Sequence, residues 1–466
     1  MIASPGVPAA RPFYAPPSEM NDLDQPIDKA WIGLARRSLL SLVSAVLIRL
    51  SGILVALITA RLLPPTDFGM MSLLQVTQST LTLFAGLNFG VVTTTVLPRI
   101  RLTDPLRAGR VIALSYASTG VCGLTMGIAV LLFRQALSRS LFHGQITTYL
   151  LALTALNIAV ISVTFAQRGV LYGLSAFRLL LVGDLLACVL AIPLSAVLTL
   201  KRGLSGSIES FAAVSIASLL INAAIISRTA KTQNIEVRFL RCWHEWRLLP
   251  STGLPTFLSG IVLTPVSFLM SVWLSRTQNG WIQIGAFSIA DRWRMYLTFA
   301  SASTSAAGLS TFSELARGGP SRASALRHVM RKYYTLVAVA TAVPATIVVF
   351  VAPYVMGLYG PTYRGHASVL QFSAAAAVLT AVNTMGGQYL LAMGRYWTRF
   401  GSDALAALTL LLLGGVFISA NGAAGLALAT GLSCLAGIGG IGGSLLVHDR
   451  GPGIHKPHGT ASIPKR

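Results

Sequence analysis

The feature that most constrains this chain is a hydrophobic run from Ser38 to Ala60 with an arginine, Arg49, at its midpoint. A run of this length can cross the hydrocarbon core of a bilayer, which takes roughly 20 helical residues. Arg49 lies eleven residues from either end of the run, or about 16 Å along a helix axis, which is too deep for its side chain to reach either surface. A guanidinium at that depth needs a polar partner or a water-filled cavity. Two environments therefore fit Arg49: an anion-binding cavity, or a fixed partner on a neighbouring helix.

The composition shows that such runs dominate the chain, since 54% of its 466 residues are hydrophobic and 11% are charged. A soluble protein of this size does not need so much apolar surface, and lipid offers no partner to an open strand edge. The sequence therefore predicts an all-α integral membrane protein. The four cysteines have no metal or disulfide spacing, and the chain has no nucleotide-binding lysine motif and no paired catalytic carboxylates. We expect no metal, no cofactor and no enzymatic activity.

Apolar runs recur at close spacing and predict about twelve transmembrane helices. The spans run roughly over residues 38–60, 69–97, 111–133, 147–167, 178–200, 208–227, 252–275, 282–306, 333–356, 366–393, 400–419 and 422–447. A proline-rich tail at 1–30 precedes them, lacks the apolar core of a signal peptide and is predicted to be disordered. A second tail, 448–466, follows the last span.

The longest inward loop, residues 228–250, divides the predicted spans into an N-terminal lobe at 31–227 and a C-terminal lobe at 251–447, each with six helices. Because six is even, both lobes start on the same side of the membrane. They are then expected to be parallel repeats related by a pseudo-twofold axis along the membrane normal. Two pairs of residues align between the lobes, after the first span of each: Arg61 with Arg276, and Gly69 with Gly285.

The lysine and arginine counts predict the orientation. Tails and loops on one side of the membrane carry 26 of the 36 basic residues, and those on the other side carry 7. The positive-inside rule places both termini and the 228–250 loop in the cytoplasm, so the net charge of +22 reflects topology and not nucleic-acid binding. Within that loop Phe239, Trp243 and Trp246 have helical spacing among arginines, which predicts a helix lying in the cytoplasmic membrane interface.

The eighth predicted span carries a second group of charges, Asp291, Arg292 and Arg294. Asp291 and Arg294 are three residues apart and share a helix face, so one arginine can be neutralised locally while the other stays available for a ligand. Two interpretations are open. The three residues form a buried packing pair with an interfacial arginine, or they line a central cavity together with Arg49.

Two further acids lie nearer the ends of predicted spans. Asp184, six residues into the fifth span and close to Arg178, either receives a coupling cation or pairs with an arginine, and the sequence favours neither. With Asp291 it is a candidate for ion coupling. Asp403 lies one turn from Arg399 and is expected to form a solvated interfacial pair with it.

One stretch resembles a known family. Residues 58–100 are similar to the first-loop and second-helix signature of Wzx-type polysaccharide flippases, in the polysaccharide transporter branch of the multidrug/oligosaccharidyl-lipid/polysaccharide (MOP) superfamily. The matching residues are Ala60, Arg61, Leu63, Pro65, Asp67, Phe68, Gly69, Leu87 and Gly90. Pro64 and Asn88 replace the usual glycines. The segments 165–186 and 286–317 are also similar to the corresponding family segments.

The resemblance implies a two-lobed bundle that works by alternating access in the bacterial inner membrane. Its implied cargo is an undecaprenyl-diphosphate-linked oligosaccharide for exopolysaccharide, lipopolysaccharide or O-antigen synthesis, and polysaccharide polymerase and chain-length proteins are the implied partners besides lipid. A diphosphate requires cationic groups, and arginine suits phosphate geometry. We therefore assign Arg49, with Arg292 or Arg294, to the diphosphate site.

Other functions are weighed against this one. A drug exporter of the same superfamily is disfavoured by the excess of basic over acidic residues within spans. A lipid II flippase is disfavoured because its relatives resemble a fourteen-span plan. A membrane polymerase or ligase would need a large outer loop with arginine and histidine, and the longest predicted outer loop has about thirteen residues.

Overall fold

A computed structural model describes residues 27–86, 89–101, 103–246, 261–299, 320–393 and 395–449. These residues form helices and connecting turns, without strands. The helices are α1 (Ile27–Leu62), α2 (Pro65–Gly86), α3 (Phe89–Ile100), α4 (Pro105–Leu132), α5 (Arg134–Phe142), α6 (Thr148–Gly173), α7 (Phe177–Thr232), α8 (Leu263–Ser275), α9 (Gly280–Leu297), α10 (Pro320–Tyr359), α11 (Pro361–Arg364), α12 (Ala367–Ala392) and α13 (Tyr396–Asp449). The predicted fold class, an all-α membrane protein, is confirmed.

Every predicted span overlaps one of these helices, although parts of spans 69–97, 252–275 and 282–306 lie outside the described residues, as do most of the tail at 1–30 and the tail from 450 onward. Seven of the described helices are long and apolar enough to cross a membrane. Two of the seven, α7 with 56 residues and α13 with 54, are each long enough to cross twice.

Helices α7 and α13 each fold back on themselves at a glycine. Gly203 has φ 58° and ψ −132°, and Gly422 has φ 57° and ψ −128°. Only glycine adopts this region at low cost, because a Cβ would clash with the backbone. Past the bend the arms pack together, so that Gly183 lies against Ile221 of the returning arm. The two bends explain why the sequence pattern shows four separate spans here.

The two bends also belong to an internal repeat. Gly203 and Gly422 are 219 residues apart, and so are the first residues of α7 and α13. The preceding helices α6 and α12 both have 26 residues and also begin 219 residues apart. The hairpin that ends one half of the described chain therefore recurs in the other half with the same lengths, which extends the short sequence echo found around Gly69 and Gly285.

Contacts between the halves concentrate at the end of the bundle that is predicted to face outward. Helix α2 packs on α8 and α9 there, and the approach is close enough that a Cβ at Gly69 would overlap the backbone of Trp281. Arg61 donates a hydrogen bond from Nε to the carbonyl of Leu358 at 2.6 Å. Reciprocally, Arg276 donates to the carbonyl of Ser140 at 3.2 Å. A buried apolar cluster runs through this region and includes residues of both halves.

The linker between the halves begins with a 3-10 helix, Phe239–Glu245, where the sequence predicts an amphipathic α-helix. Its three aromatic side chains, Phe239, Trp243 and Trp246, are exposed, and their position in the membrane interface stays a prediction. The opposite side is fixed to α4, because Glu245 pairs with Arg107 at 3.1 Å and with Arg110 at 3.5 Å.

The glycine bends give a test of the fold. Gly203→Ala should lower the free energy of unfolding by about 1–3 kcal/mol, because alanine cannot adopt these backbone angles without strain. The thermal unfolding midpoint of the detergent-solubilised protein measures this. Gly439→Ala is the matched control, because the position lies in a helix with open space around its Cα. Equal midpoints for the two variants would contradict the bend.

Candidate functional site

Arg49 lies on α1 and reaches toward the C-terminal half. Its Cζ is 3.9 Å from the ring centroid of Phe299, a cation–π contact, and its Nη1 donates to the carbonyl of Ala45 at 3.1 Å. Within the part of the chain that the structure describes, no carboxylate pairs with Arg49. The sequence leaves two environments open for Arg49, an anion-binding cavity or a fixed partner on a neighbouring helix. The described contacts include an aromatic ring and no partner that neutralises the charge.

Arg292 lies on α9 and reaches in the opposite direction. Its Nη2 donates to Oε1 of Gln75 on α2, a short hydrogen bond between the halves. No described carboxylate forms an ion pair with Arg292, although Asp291 is its neighbour in sequence. Arg292 is thus the arginine of its group that stays available for a ligand, and the sequence predicts one such arginine.

The guanidiniums of Arg49 and Arg292, which lack a carboxylate partner among the described residues, lie in the same region of the interface. Tyr296 lies one turn after Arg292 on α9, and its hydroxyl lies close to Gly52 of α1, which is three residues after Arg49. Counted from the predicted outer ends of their helices, both arginines lie about 18–20 Å deep. The structure therefore brings two positive charges, one from each half and neither with a carboxylate partner among the described residues, to a similar depth at the interface between the halves.

Arg294 has a different environment from its two companions. Its Nε and Nη2 donate to Oδ1 of Asp291 at 2.8 and 2.6 Å, and its Nη1 donates to Thr380 of α12 at 3.2 Å. These contacts lie within the C-terminal half, and the carboxylate neutralises the charge. The geometry does not bring Arg294 together with Arg49, so it is the weakest of the three predicted diphosphate ligands. Asp291 is engaged in the same pair.

Asp184 pairs with an arginine, but the partner is Arg168 and not the nearby Arg178. Arg168 Nη1 and Nη2 lie 2.8 and 3.2 Å from the two carboxylate oxygens of Asp184. Ser44 of α1 donates a further short hydrogen bond to the same carboxylate. Asp184 thereby ties α1, α6 and α7 together, and Arg178 is exposed.

Sequence reasoning missed Arg168 because it assigned the residue to a cytoplasmic loop. Helix α6 continues to Gly173, and the chain turns before α7 begins at Phe177. Arg168 lies five residues before the turn, and Asp184 lies seven residues after α7 begins, so an antiparallel pair of helices brings them level. The sequence contains a signal for this pair, because Arg168 lies shortly before the turn and Asp184 lies shortly after it.

The predicted pair of Asp403 with Arg399 is present, but its predicted exposure to solvent is wrong. Arg399 Nε lies 2.7 Å from Asp403 Oδ2, and only 4% of Asp403 is exposed. Arg399 also donates to the carbonyl of Asn383 on α12 at 3.1 Å. The pair is buried because α12 and the returning arm of α13 pack over it.

A cavity of about 570 Å³ opens in the N-terminal half, beside the Arg168–Asp184 pair. The described residues that line it come from α2, α3, α6 and α7, and they include Gln75, Gln78, Thr94, Phe165, Arg168, Tyr172 and Phe211. Gln75 connects this cavity to Arg292 through their hydrogen bond. A second cavity of about 260 Å³ lies between α1, α6 and α7 and is also bordered by Arg168 and Asp184.

Comparison with known proteins gives one curated relative and a set of solved structures, and no family model matches the chain. The relative is the EPS I polysaccharide export inner membrane protein EpsE of Ralstonia nicotianae (strain ATCC BAA-1114 / GMI1000). It is 24% identical over 377 residues, which cover 81% of this chain and 85% of the relative.

Solved transporter structures share the arrangement of helices. An inward-facing multidrug resistance MATE family transporter of the MOP superfamily has a TM-score of 0.72 at 17% identity, over 86% of this chain and 94% of that one. The lipid II flippase MurJ in an inward closed conformation has a TM-score of 0.66 at 14% identity, over 88% and 87%. The chain has the fold of these two solved proteins. It is a multi-pass helical membrane protein.

The two buried ion pairs of the repeat predict different losses of stability. Asp403→Ala should lower the free energy of unfolding by about 3–5 kcal/mol, because it leaves the buried Arg399 without its carboxylate. Asp184→Ala should cost less, since Arg168 borders two cavities in which water can solvate it. Thermal unfolding in detergent measures both losses.

The control removes both charges of the buried pair. Arg399→Leu combined with Asp403→Leu should recover most of the stability that Asp403→Ala loses, because no unpaired charge then stays buried. A double variant as unstable as the single variant would contradict the charge argument and favour a purely steric role.

Proposed function

We propose that this protein is an inner-membrane flippase that moves a diphosphate-linked oligosaccharide from the cytoplasmic to the outer leaflet for extracellular or surface polysaccharide synthesis. The observation that carries the proposal is the pair of arginines at the interface, Arg49 and Arg292, one from each half, for which the described residues supply no carboxylate partner. The cytoplasmic location of both termini and undecaprenyl as the lipid stay part of the proposal. The likeness to EpsE supports polysaccharide as the cargo, and the MurJ-like fold supports a lipid-linked one.

The charge of the site favours an anionic cargo over a cationic one. A diphosphate carries about two negative charges, and guanidiniums bind phosphate oxygens with paired N–H donors. In a membrane interior an unpaired guanidinium costs several kcal/mol, which an anionic ligand offsets when it binds. A cationic drug would be repelled by two like charges at this position, so the site supports multidrug export less well than export of an anionic cargo.

Binding between the halves supplies a mechanism for alternating access. Arg49 approaches Phe299 and Arg292 approaches Gln75, so each arginine already crosses the interface. An anion held by both arginines interacts with both halves at once, and its binding energy therefore depends on their relative tilt. The contacts around Gly69 close the predicted outer end in this structure, which leaves the cytoplasmic end as the side for loading.

The membrane potential favours export without ATP hydrolysis. Outward movement of about two negative charges across 100 mV, inside negative, releases about 4–5 kcal/mol. Coupling to proton or sodium entry through Asp184 or Asp291 is a second driving force under this proposal. Both carboxylates are paired with arginines, so a coupling cation would have to compete with Arg168 or Arg294.

A lipid II flippase is the second candidate, because the MurJ-like fold and a diphosphate site suit that cargo equally well. The curated relative favours the polysaccharide reading. Lipid-linked intermediates that accumulate when the gene is deleted distinguish the two: a polysaccharide repeat unit supports our proposal, and peptidoglycan precursor supports the alternative.

The arginines at the interface can be tested in cells. Arg49→Ala and Arg292→Ala should each reduce surface polysaccharide to the level of the deletion strain, because either change removes half of the diphosphate site. Immunoblots of the membrane fraction check that the proteins are present. Arg178→Ala is the control, since it removes an exposed arginine and should leave polysaccharide at the wild-type level. Normal polysaccharide in the Arg49 variant would remove that residue from the mechanism.

Alternating access predicts that a bulky residue at Gly69 prevents closure of the predicted outer end. In a variant whose four native cysteines are replaced, a cysteine at Ser79, which lines the N-terminal cavity, reports on access. Gly69→Leu should increase its labelling by a membrane-impermeant maleimide added outside the cell, relative to Gly69 in the same background. Unchanged labelling would show that the Gly69 contact is not a gate.

A further inference from the structure

The cavity in the N-terminal half is chemically unlike the arginine pair at the interface. Arg168 is the one charged side chain among the described residues that line it, and Asp184 neutralises it. Gln75 and Gln78 supply amide N–H donors, since their oxygens already accept from Arg292 and Asn157. Hydroxyls and aromatic rings complete the lining: Ser79, Thr82, Thr94, Phe165, Tyr172 and Phe211. A group with two negative charges finds no uncompensated cation here.

These walls fit an uncharged group that carries many hydroxyls and also has apolar faces. Amides and a carboxylate–guanidinium pair hydrogen-bond neutral hydroxyls without requiring a charge on the ligand. The flat aromatic rings of Phe165 and Phe211 offer contact area to C–H faces at low entropic cost, since each side chain has two torsions. The volume of about 570 Å³ lies within the range of small-molecule sites, about 300–1,000 Å³. A sugar ring combines these features.

The repeat shows that the ion pair does not by itself require an open cavity. The residue 219 positions after Arg168 is Gly387, and the residue 219 positions after Asp184 is Asp403. In the C-terminal half the guanidinium of Arg399 fills the space over Gly387, where a Cβ would overlap it. The same pair is thus built from another helix, with 17% of the arginine side chain exposed against 29% for Arg168. The opening beside Arg168 is specific to the N-terminal half.

Gln75 places the cavity next to the interface. Its Oε1 accepts the hydrogen bond from Arg292, and the same side chain lines the cavity. A group attached directly to a phosphate at Arg292 would therefore lie at the mouth of the cavity. Tyr172, four residues after Arg168 on the same helix, lines the cavity as well.

We propose that the N-terminal cavity is a carbohydrate subsite that holds the sugar next to the diphosphate, with Gln78 and Arg168 as hydrogen-bonding groups and Phe165 as an apolar wall. The inference rests on the proposed function and adds that two parts of the cargo bind at two different sites. The interface arginines bind the phosphates, and the neutral cavity binds the first sugar. Specificity for the saccharide then lies in the N-terminal half alone.

Binding of synthetic probes to the purified protein in detergent tests the division. The probes are farnesyl diphosphate and the same lipid diphosphate linked to glucose, galactose or N-acetylglucosamine, titrated by calorimetry. At least one glycosylated probe should bind the wild type about three- to tenfold more tightly than farnesyl diphosphate, as the added ring contacts imply. Phe165→Ala should remove that difference and leave the affinity for farnesyl diphosphate unchanged, and Phe165→Tyr should keep the difference.

The control and the outcomes separate this inference from the proposed function. Phe165 is 61% exposed, so its truncation leaves the packing intact, and Phe350→Ala is a control that removes an exposed ring of the other half. Equal affinity of the wild type for all four probes would overturn the subsite while leaving the diphosphate site in place. An equal loss for every probe in Phe165→Ala would overturn it as well. Failure of the wild type to bind any probe would overturn the proposed function.

Discussion

The arrangement of this protein depends on the cost of an uncompensated charge away from water. The arginines that lie away from bulk water fall into two classes according to how this cost is met. Arg168, Arg294 and Arg399 each lie against a carboxylate, so their charges are neutralised and they bind helices together. Arg49 and Arg292 have an aromatic ring and an amide instead. Under our proposal the first class is structural, and the second is the part of the site that requires an anion.

The internal repeat makes this division easier to recognise. Both halves contain a 26-residue helix, a turn and a hairpin bent at a glycine, and both hold a buried aspartate seven residues after the hairpin helix begins. The arginine that neutralises the aspartate comes from α6 in one half and from α13 in the other. The location of the guanidinium is kept while its position in the sequence changes, which indicates that the pair is a requirement of each half.

Much of the fold could be predicted from the sequence, because hydrophobic length reports directly on membrane spans. The helices around Arg49 and Asp291 and the recurrence of the Gly69 region in the second half were all visible as patterns. The partners of charged residues were not. Arg168 was assigned to a loop because a span boundary is uncertain by several residues, and Asp403 was expected in solvent because burial at a helix end depends on which neighbours pack over it.

Neither could the sequence separate Arg292 from Arg294. Both lie on one helix within three residues of Asp291, and only the positions of Gln75 and Thr380 on other helices decide which arginine is neutralised. Reconstitution in liposomes tests most directly whether Arg49 and Arg292, and not Arg294, bind the cargo. The measurement is how fast a fluorescent farnesyl-diphosphate-linked sugar exchanges between leaflets. Our proposed function predicts that wild-type protein and Arg294→Gln accelerate exchange, whereas Arg49→Gln combined with Arg292→Gln leaves it at the rate of empty liposomes. Equal acceleration by that double variant would contradict it.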